Sequence, residues 1–315
     1  MARRLLQAIP TIFGIMLLTF ALTRLSPSDP VTLMTRTNPD ITEADRDALR
    51  QALGLNDPIP LQFVHWAFSV LRLDFGDSFN YHRPVVELIA ERIPNTLQLS
   101  VTSLLLALLI AVPLGVLAAF YRGSVLDQVI RTISVLLHAV PVFFLGLLFI
   151  LLFGIGLHMF PVGSMNVVGE SCVWCPDRLW HMVGPTIVGA AGGIALIPRI
   201  LRTEVLEILG QDFIRTARSK GLRERLVILR HVLRNALIPI VTLFGGILTI
   251  LVGGSVIIEQ VFNWPGLGRL LFEAANNKDY PLVQAAVLIT SFLLVLSYIL
   301  RDLAYAAVDP RIKVG

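Results

Sequence analysis

Thr203–Arg234 reads TEVLEILGQDFIRTARSKGLRERLVILRHVLR, a basic, polar run between two apolar stretches. Crossing the hydrocarbon core of a bilayer takes about 20 predominantly apolar residues. Working outward from this run, six segments approach that length: 5–25, 97–121, 132–157, 182–201, 236–258 and 282–303. The fourth is the most interrupted, by Pro185, Pro198 and several glycines. Only 15% of the 315 residues are charged, with mean hydropathy +0.74, against about 25% charged in a soluble domain. The expected fold class is therefore an all-α polytopic membrane protein with six transmembrane helices. The short alternating segments of a β-barrel are absent, and a nucleic-acid reader would not carry such apolar runs.

Orientation follows from the Lys/Arg bias of short loops, which marks the cytoplasmic side. Arg3 and Arg4 precede the first span, and Arg122 and Arg131 flank the loop after the second. The 203–234 loop carries the densest cluster, and Arg301, Arg311 and Lys313 lie at or beyond the end of the last span. With six spans these groups share one side, so both termini are expected in the cytoplasm. The opposite loop, 158–181, has Arg178 as its one basic residue.

Three regions result: 1–26 with the first span, an external segment 27–96, and a core 97–315. The external segment holds ten acids and six arginines. Thr42 with Asp45 has the spacing of a capping box, and Gly54 stops that helix. Ile59–Leu73 is a second amphipathic stretch, with Val64, Ala67, Phe68 and Leu71 on one face. Pro84 opens a third helix, Val85–Ile93. These helices form an external cap, which either shields the span ends or docks a partner. Cys172 and Cys175 lie in the 158–181 loop, as a small-loop disulfide or as two thiols. Two thiolates cannot fill a zinc site, and no metal site is expected.

No catalytic constellation is present. A G-x-x-x-x-G-K-[ST] phosphate loop, H-E-x-x-H and a nucleophile elbow are all missing, so the chain is not expected to hydrolyse ATP. The spans are nearly bare of charge, and Glu259 is the one acid close to a span end. An ion-coupled secondary carrier, the competing reading, usually places carboxylates or histidines near mid-membrane.

Within the loop, Glu204–Gly210 prolongs the fourth span, and Gln211–Lys220 reads as a separate helix capped by Gly221. Phe213, Ala217 and Gly221 recur at four-residue spacing, a small face with one aromatic knob, ringed by Arg215, Arg218 and Lys220. Such a face suits a groove on another protein. A basic helix lying on anionic headgroups has the same pattern.

The loop resembles the cytoplasmic coupling loop of ABC importer permeases, whose generic pattern is E-A-A-x-x-x-G followed by I-x-L-P. Ala217 and Gly221 keep the first part and Leu233 the second. The wording TARSKGL…RHVLRNALIP is similar to the dipeptide, oligopeptide and nickel branch of that family. Further matches follow in order: Leu73–Phe79 resembles L-D-F-G-x-S, Pro94–Leu97 P-x-T-L, and Glu259–Gly268 E-x-x-F-x-W-P-G-L-G. Asp279-Tyr280-Pro281 and Asp309-Pro310-Arg311 also fit. The resemblance covers nearly the whole chain.

It implies the type I importer permease fold and a non-catalytic subunit in the bacterial or archaeal plasma membrane, the first permease of a pair. The implied partners are a second homologous permease, two ATPase subunits that bind ATP and Mg, an external solute-binding protein and membrane lipid, with no nucleic acid and no cofactor in this chain. Asp212, Phe213, Arg215, Ala217, Arg218 and Gly221 would meet the ATPase. Arg215 stands where the generic pattern has glutamate, so no ion pair is carried over from that position. Glu259, Phe262, Trp264, Pro265 and Gly266, with Asp74, Phe75 and Gly76, would form an outer gate or binding-protein dock, or a cap fixing the ends of spans five and six. The resemblance assigns choice among dipeptide, oligopeptide, glutathione, nickel chelate and haem to the separate binding protein.

Overall fold

A computed structural model of the chain describes residues 2–25, 30–35, 41–166, 175–237, 239–240 and 256–308. Among these, every regular element is helical, apart from one isolated antiparallel bridge between Asp77 and Pro84. Three helices are long and apolar enough to cross a membrane: α1 (Ala2–Leu25), through Ala8–Leu25, α5 (Val85–Phe120) and α8 (Pro176–Leu209). The expected fifth span, 236–258, falls largely on 241–255, outside the described residues, as do its glycines and Asp309-Pro310-Arg311. The last helix, named α14 below, spans Tyr280–Val308.

Two expected boundaries shift. The third expected span, 132–157, is not one straight helix. Instead α6 (Val125–Ala139) and α7 (Val142–Phe149), with a π-helical continuation Ile150–Gly156, bend by 100° at their join. Pro141 is the cause. It lacks an N–H and disfavours helical geometry in the residue before it, and Val140 is extended at φ −86, ψ 125. The second span and the expected Val85–Ile93 helix are one 36-residue rod, α5, which passes through Pro94.

The centre of the fold is the contact of α5 with α8. Gly189 and Gly193 of α8 lie against Ser103 and Ala107 of α5, and an added Cβ at Gly193 would stand 2.7 Å from that of Ala107. Gly115 of α5 meets Pro198 and Leu201 in return. Small residues at four-residue spacing let helix backbones approach closely where lipid removes the hydrophobic drive to associate. The small-residue run of the fourth span thus serves helix packing.

In the 30–84 region, α2 (Pro30–Met34) and α3 (Glu43–Ala52) come first. The Thr42–Asp45 capping box forms: Asp45 N–H donates to Thr42 Oγ1 at 3.3 Å, and Thr42 N–H to Asp45 Oδ2 at 2.9 Å. The hydroxyl and backbone of Thr42 hold the Asp45 carboxyl below its ordinary range. α4 (Ile59–Leu71) turns a different face inward from the one expected. Phe63 stacks edge-on with Phe13 and Phe20 of α1 (centroids 5.9 and 5.4 Å), and Trp66 sits 5.5 Å from Phe20. Val64, Phe68 and Leu71 stay exposed. Aromatic rings bury more area than the aliphatic stripe and gain from edge-to-face contact, so they set the packed side.

Candidate functional site

α8 ends at Gly210, and the chain restarts as α9 (Asp212–Ser219) behind Gln211. Gly221 closes this short helix with φ +74, a left-handed conformation that glycine adopts without strain. Ile214 and Ala217 are buried among Ile208 of α8 and Val227 and Val232 of the following turns. These turns are α10 (Glu224–Leu226), a π-helical stretch Val227–Val232 and α11 (Leu233–Ala236).

Ala217 therefore faces the chain's own core, not outward with Phe213 and Gly221 as the four-residue spacing suggested. The outer face consists of Asp212, Phe213, Arg215, Arg218 and Lys220, with Gly221 at its end. Phe213 is 41% exposed. It borders a groove of about 320 Å³ lined also by Glu204, Ile208, Gln211, Asn235 and Pro239. Arg218 already has a partner: its Nη2 and Nε donate to Glu224 at 2.6 and 3.1 Å. That guanidinium holds the Glu224 carboxyl below its ordinary range. Arg215 reaches Asp212 at 3.5 Å, both exposed, a pair worth little in water. Arg215 remains the freer of the two arginines for an external contact.

A second feature at this end escaped the sequence reading. Asp127 in the first turn of α6 is wholly buried. It accepts Arg202 Nε at 2.7 Å and Nη2 at 2.9 Å from α8, and the Gly123 N–H at 2.9 Å, with Arg131 at 3.3 Å. By sequence alone Arg131 has an orientation role only. The available signal was Ser124 three residues before Asp127, and Ser124 Oγ accepts the Asp127 N–H at 3.3 Å.

At the opposite end, motifs far apart in sequence meet. α12 (Val256–Val261) and α13 (Leu267–Asn276) flank the Trp264-Pro265-Gly266 turn. Glu259, wholly buried, accepts Thr96 Oγ1 at 2.7 Å and the Arg269 N–H at 2.8 Å. Thr96 Oγ1 in turn accepts the Leu267 N–H at 2.7 Å. Trp264 Nε1 donates to the Asn95 carbonyl at 3.0 Å, and Asn95 Nδ2 to the Pro265 carbonyl at 2.9 Å. Arg178, in the first turn of α8, donates to Gln98 Oε1 and Asn95 Oδ1, both at 2.8 Å, and lies over the Trp264 ring. Cys175, ahead of that turn, is disulfide-bonded; Cys172 lies outside the described residues.

Glu259, Phe262, Trp264 and Gly266 are thus interior, and Pro265 is half-buried. The turn ties α12 and α13 to α5 and α8, so these four residues are interior packing groups and present no dock surface of their own. Of the upstream trio, Asp74 and Gly76 are exposed, with the Gly76 N–H on Asp74 Oδ1 at 3.0 Å. Phe75 packs onto the cluster of Val85, Leu88 and Leu282. Ser78 and Asp279 complete a second joint. Asp279, buried at the start of α14, accepts the Ser78 hydroxyl, the Phe79 N–H at 3.2 Å and the Asn80 N–H at 3.3 Å. Hydrogen bonds to a charged group contribute about 1.5–3 kcal/mol each. Asp279→Ala is expected to free the 72–84 segment, read as faster tryptic cleavage at Arg72 with α5 intact; an unchanged cleavage rate would show that the joint does not hold the segment.

A family model described as "Binding-protein-dependent transport system inner membrane component" matches residues 111–314, and one for the N-terminal part of such membrane components matches 1–100. The oligopeptide transport system permease protein AppB of Bacillus subtilis is 41% identical, covering 99% of this chain and 98% of that one. The dipeptide transport system permease protein DppB of Escherichia coli K12 is 37% identical, and the glutathione transport system permease protein GsiC of Salmonella choleraesuis 38%, each over 99% of this chain and 97% of its own length. Among solved structures, the inward-facing MetNI methionine ABC transporter matches with TM-score 0.53 at 21% identity, over 71% of this chain and 97% of that one. That likeness carries the fold, a type I ABC importer permease. The reading as an ion-coupled carrier finds no support in these relatives. The chain belongs to the family of inner-membrane permease components of binding-protein-dependent transport systems.

Proposed function

We propose that this permease forms half of a translocation path for di- or oligopeptides, or a related small solute. It pairs with a second homologous permease and takes its energy from two ATPase subunits that contact α9. An external solute-binding protein delivers the substrate, and both termini lie in the cytoplasm with the 203–234 loop. The peptide assignment is supported by the names of the oligopeptide and dipeptide relatives over their full length.

The observation that carries the coupling role is the two-sided build of α9. Its inner face is locked to α8 through Ile214 and Ala217, while Phe213 and the charged side chains face out. A push on the outer face therefore moves α8 and not the loop alone. No residue of this chain is assigned a chemical step, and ATP hydrolysis belongs to the partners.

Phe213→Glu tests this. A central aromatic anchor of a protein interface contributes about 2 kcal/mol or more, so ATPase co-purification is expected to fall by more than tenfold. The permease pair itself should keep its melting temperature, because Phe213 is not core. Full ATP-dependent uptake and undiminished ATPase retention in this variant would sink the proposal.

A further inference from the structure

We propose that α4 is not part of a water-facing cap but lies in the outer leaflet of the bilayer, its exposed strip against lipid acyl chains. The composition is the first indication. The thirteen residues Ile59–Leu71 contain no Asp, Glu, Lys or Arg, whereas α3 just before them carries Glu43, Asp45, Arg46, Asp47 and Arg50. A helix covering a protein in water would put charge on its outer side, as α3 does. On α4 that side holds Val64, Phe68 at 60% and Leu71 at 73% exposure.

The second indication is where α4 is held. Its ring contacts are with Phe13 and Phe20. These residues stand on either side of the midpoint of the apolar stretch Ala8–Leu25 of α1. Seven residues of helix rise about 10 Å, so Phe63 sits alongside the span rather than beyond its end. α1 itself leaves Phe13 and Leu17 exposed along the same stretch. A membrane-crossing helix meets lipid at such positions, and α4 packs beside it.

The third is the arrangement of its polar groups. At 100° per residue, Gln62, His65 and Ser69 fall along one edge, away from the Val64–Phe68–Leu71 strip. Gln62 Nε2 donates to the carbonyls of Leu55 and Asp57 at 2.9 and 2.7 Å, so Gln62 is tied to the chain, and His65 is exposed on the same edge. At 13 residues, about 20 Å, the helix is too short to cross the roughly 30 Å core. It is immersed in one leaflet as an apolar wedge beside α1. A docking face for a reversible protein partner would carry a polar rim around its apolar centre, which the strip lacks toward α1.

The test uses the full importer reconstituted in vesicles, with single cysteines F68C and D47C labelled by an environment-sensitive fluorophore. Labelling is done without reductant, with the unsubstituted permease as blank. Doxyl-labelled phosphatidylcholine is expected to quench the probe at 68 several-fold more than at 47, and aqueous iodide the reverse. Iodide quenching at 68 equal to that at 47 would overturn the proposal in favour of a water-facing cap. Protection at 68 from both quenchers would overturn it in favour of a covering protein subunit. The leaflet rests on the topology proposed above, but the acyl contact does not: doxyl lipid quenches from either leaflet, so a failed topology leaves the quenching intact.

Discussion

Gly266→Ala is expected to prevent stable folding of the permease. A Cβ at position 266 would coincide with the Glu259 carboxyl group. The carboxylate would have to leave a fully enclosed site, and with it go its bonds to Thr96 and Arg269. Each buried donor or acceptor left without its partner costs about 1–3 kcal/mol, and several are lost at once, a large part of the roughly 5–15 kcal/mol that holds a typical domain. Glu259→Ala removes the acceptor and leaves the same donors unpaired, so its cost is of similar size. The diagnostic variant is the double one. With Glu259→Ala already present, adding Gly266→Ala no longer meets the carboxylate, so the second substitution should cost far less than Gly266→Ala does alone. Thermal melting of the solubilised permease by size-exclusion recovery reads all three. Additive losses would mean that Gly266 acts independently of Glu259.

Arg202→Ala is expected to have the second-largest effect. It strips the two-pronged contact from Asp127, which stays buried and charged with Gly123 and Arg131 as remaining partners. Removing one member of such a pair leaves the other charge short of partners, read as a clear fall in melting temperature. Because the contact joins α6 to α8 close to α9, a second effect is expected in any protein that survives: ATP hydrolysis continues while uptake per ATP falls. Asp127→Asn with Arg202→Ala should recover part of the stability, since no buried charge is left without its counterpart and Arg131, half-exposed, stays hydrated. Equal melting temperatures for Arg202→Ala and the unsubstituted permease would remove Asp127 from the list of joints.

The helical membrane class was legible from long apolar runs, and the important joints were legible as separate motifs. Thr96 with Glu259, and Ser78 with Asp279, are in each case residues of two motifs that the fold brings within hydrogen-bond reach. Nothing in either motif names its partner, because the match is made across about 160–200 positions of chain. The face of α9 was misread for a different reason. Phe213, Ala217 and Gly221 share a spacing, but Ile214 lies only 100° from Phe213, so an eight-residue helix offers two overlapping apolar faces. Val227 and Val232, beyond the glycine turn, decide between them. The same holds for α4, where Val64, Phe68 and Leu71 give a clean stripe. The larger rings on the other side won the packed position because α1 offers aromatic partners. Asp127 was passed over because an acid at a helix start has an ordinary explanation as a cap. Only the approach of Arg202, 75 residues away, reveals its second use.

α8 has a mechanical consequence. It is one helix of 34 residues, about 50 Å long at 1.5 Å per residue, and both of its ends are gripped. Arg178 clasps Asn95, Gln98 and Trp264 at one end, and Arg202 clasps Asp127 near the other. Such a rod acts as a strut. Under the coupling proposed above, a displacement of α9 passes along α8 toward the tryptophan turn, and the stiffness of the rod sets how much of it arrives. Pro185 and Pro198 each omit one backbone hydrogen bond, so the compliance of the strut is concentrated at two points on either side of the Gly189–Gly193 contact. In the coupling proposed above, Pro185 and Pro198 are where a push delivered at α9 is lost along α8.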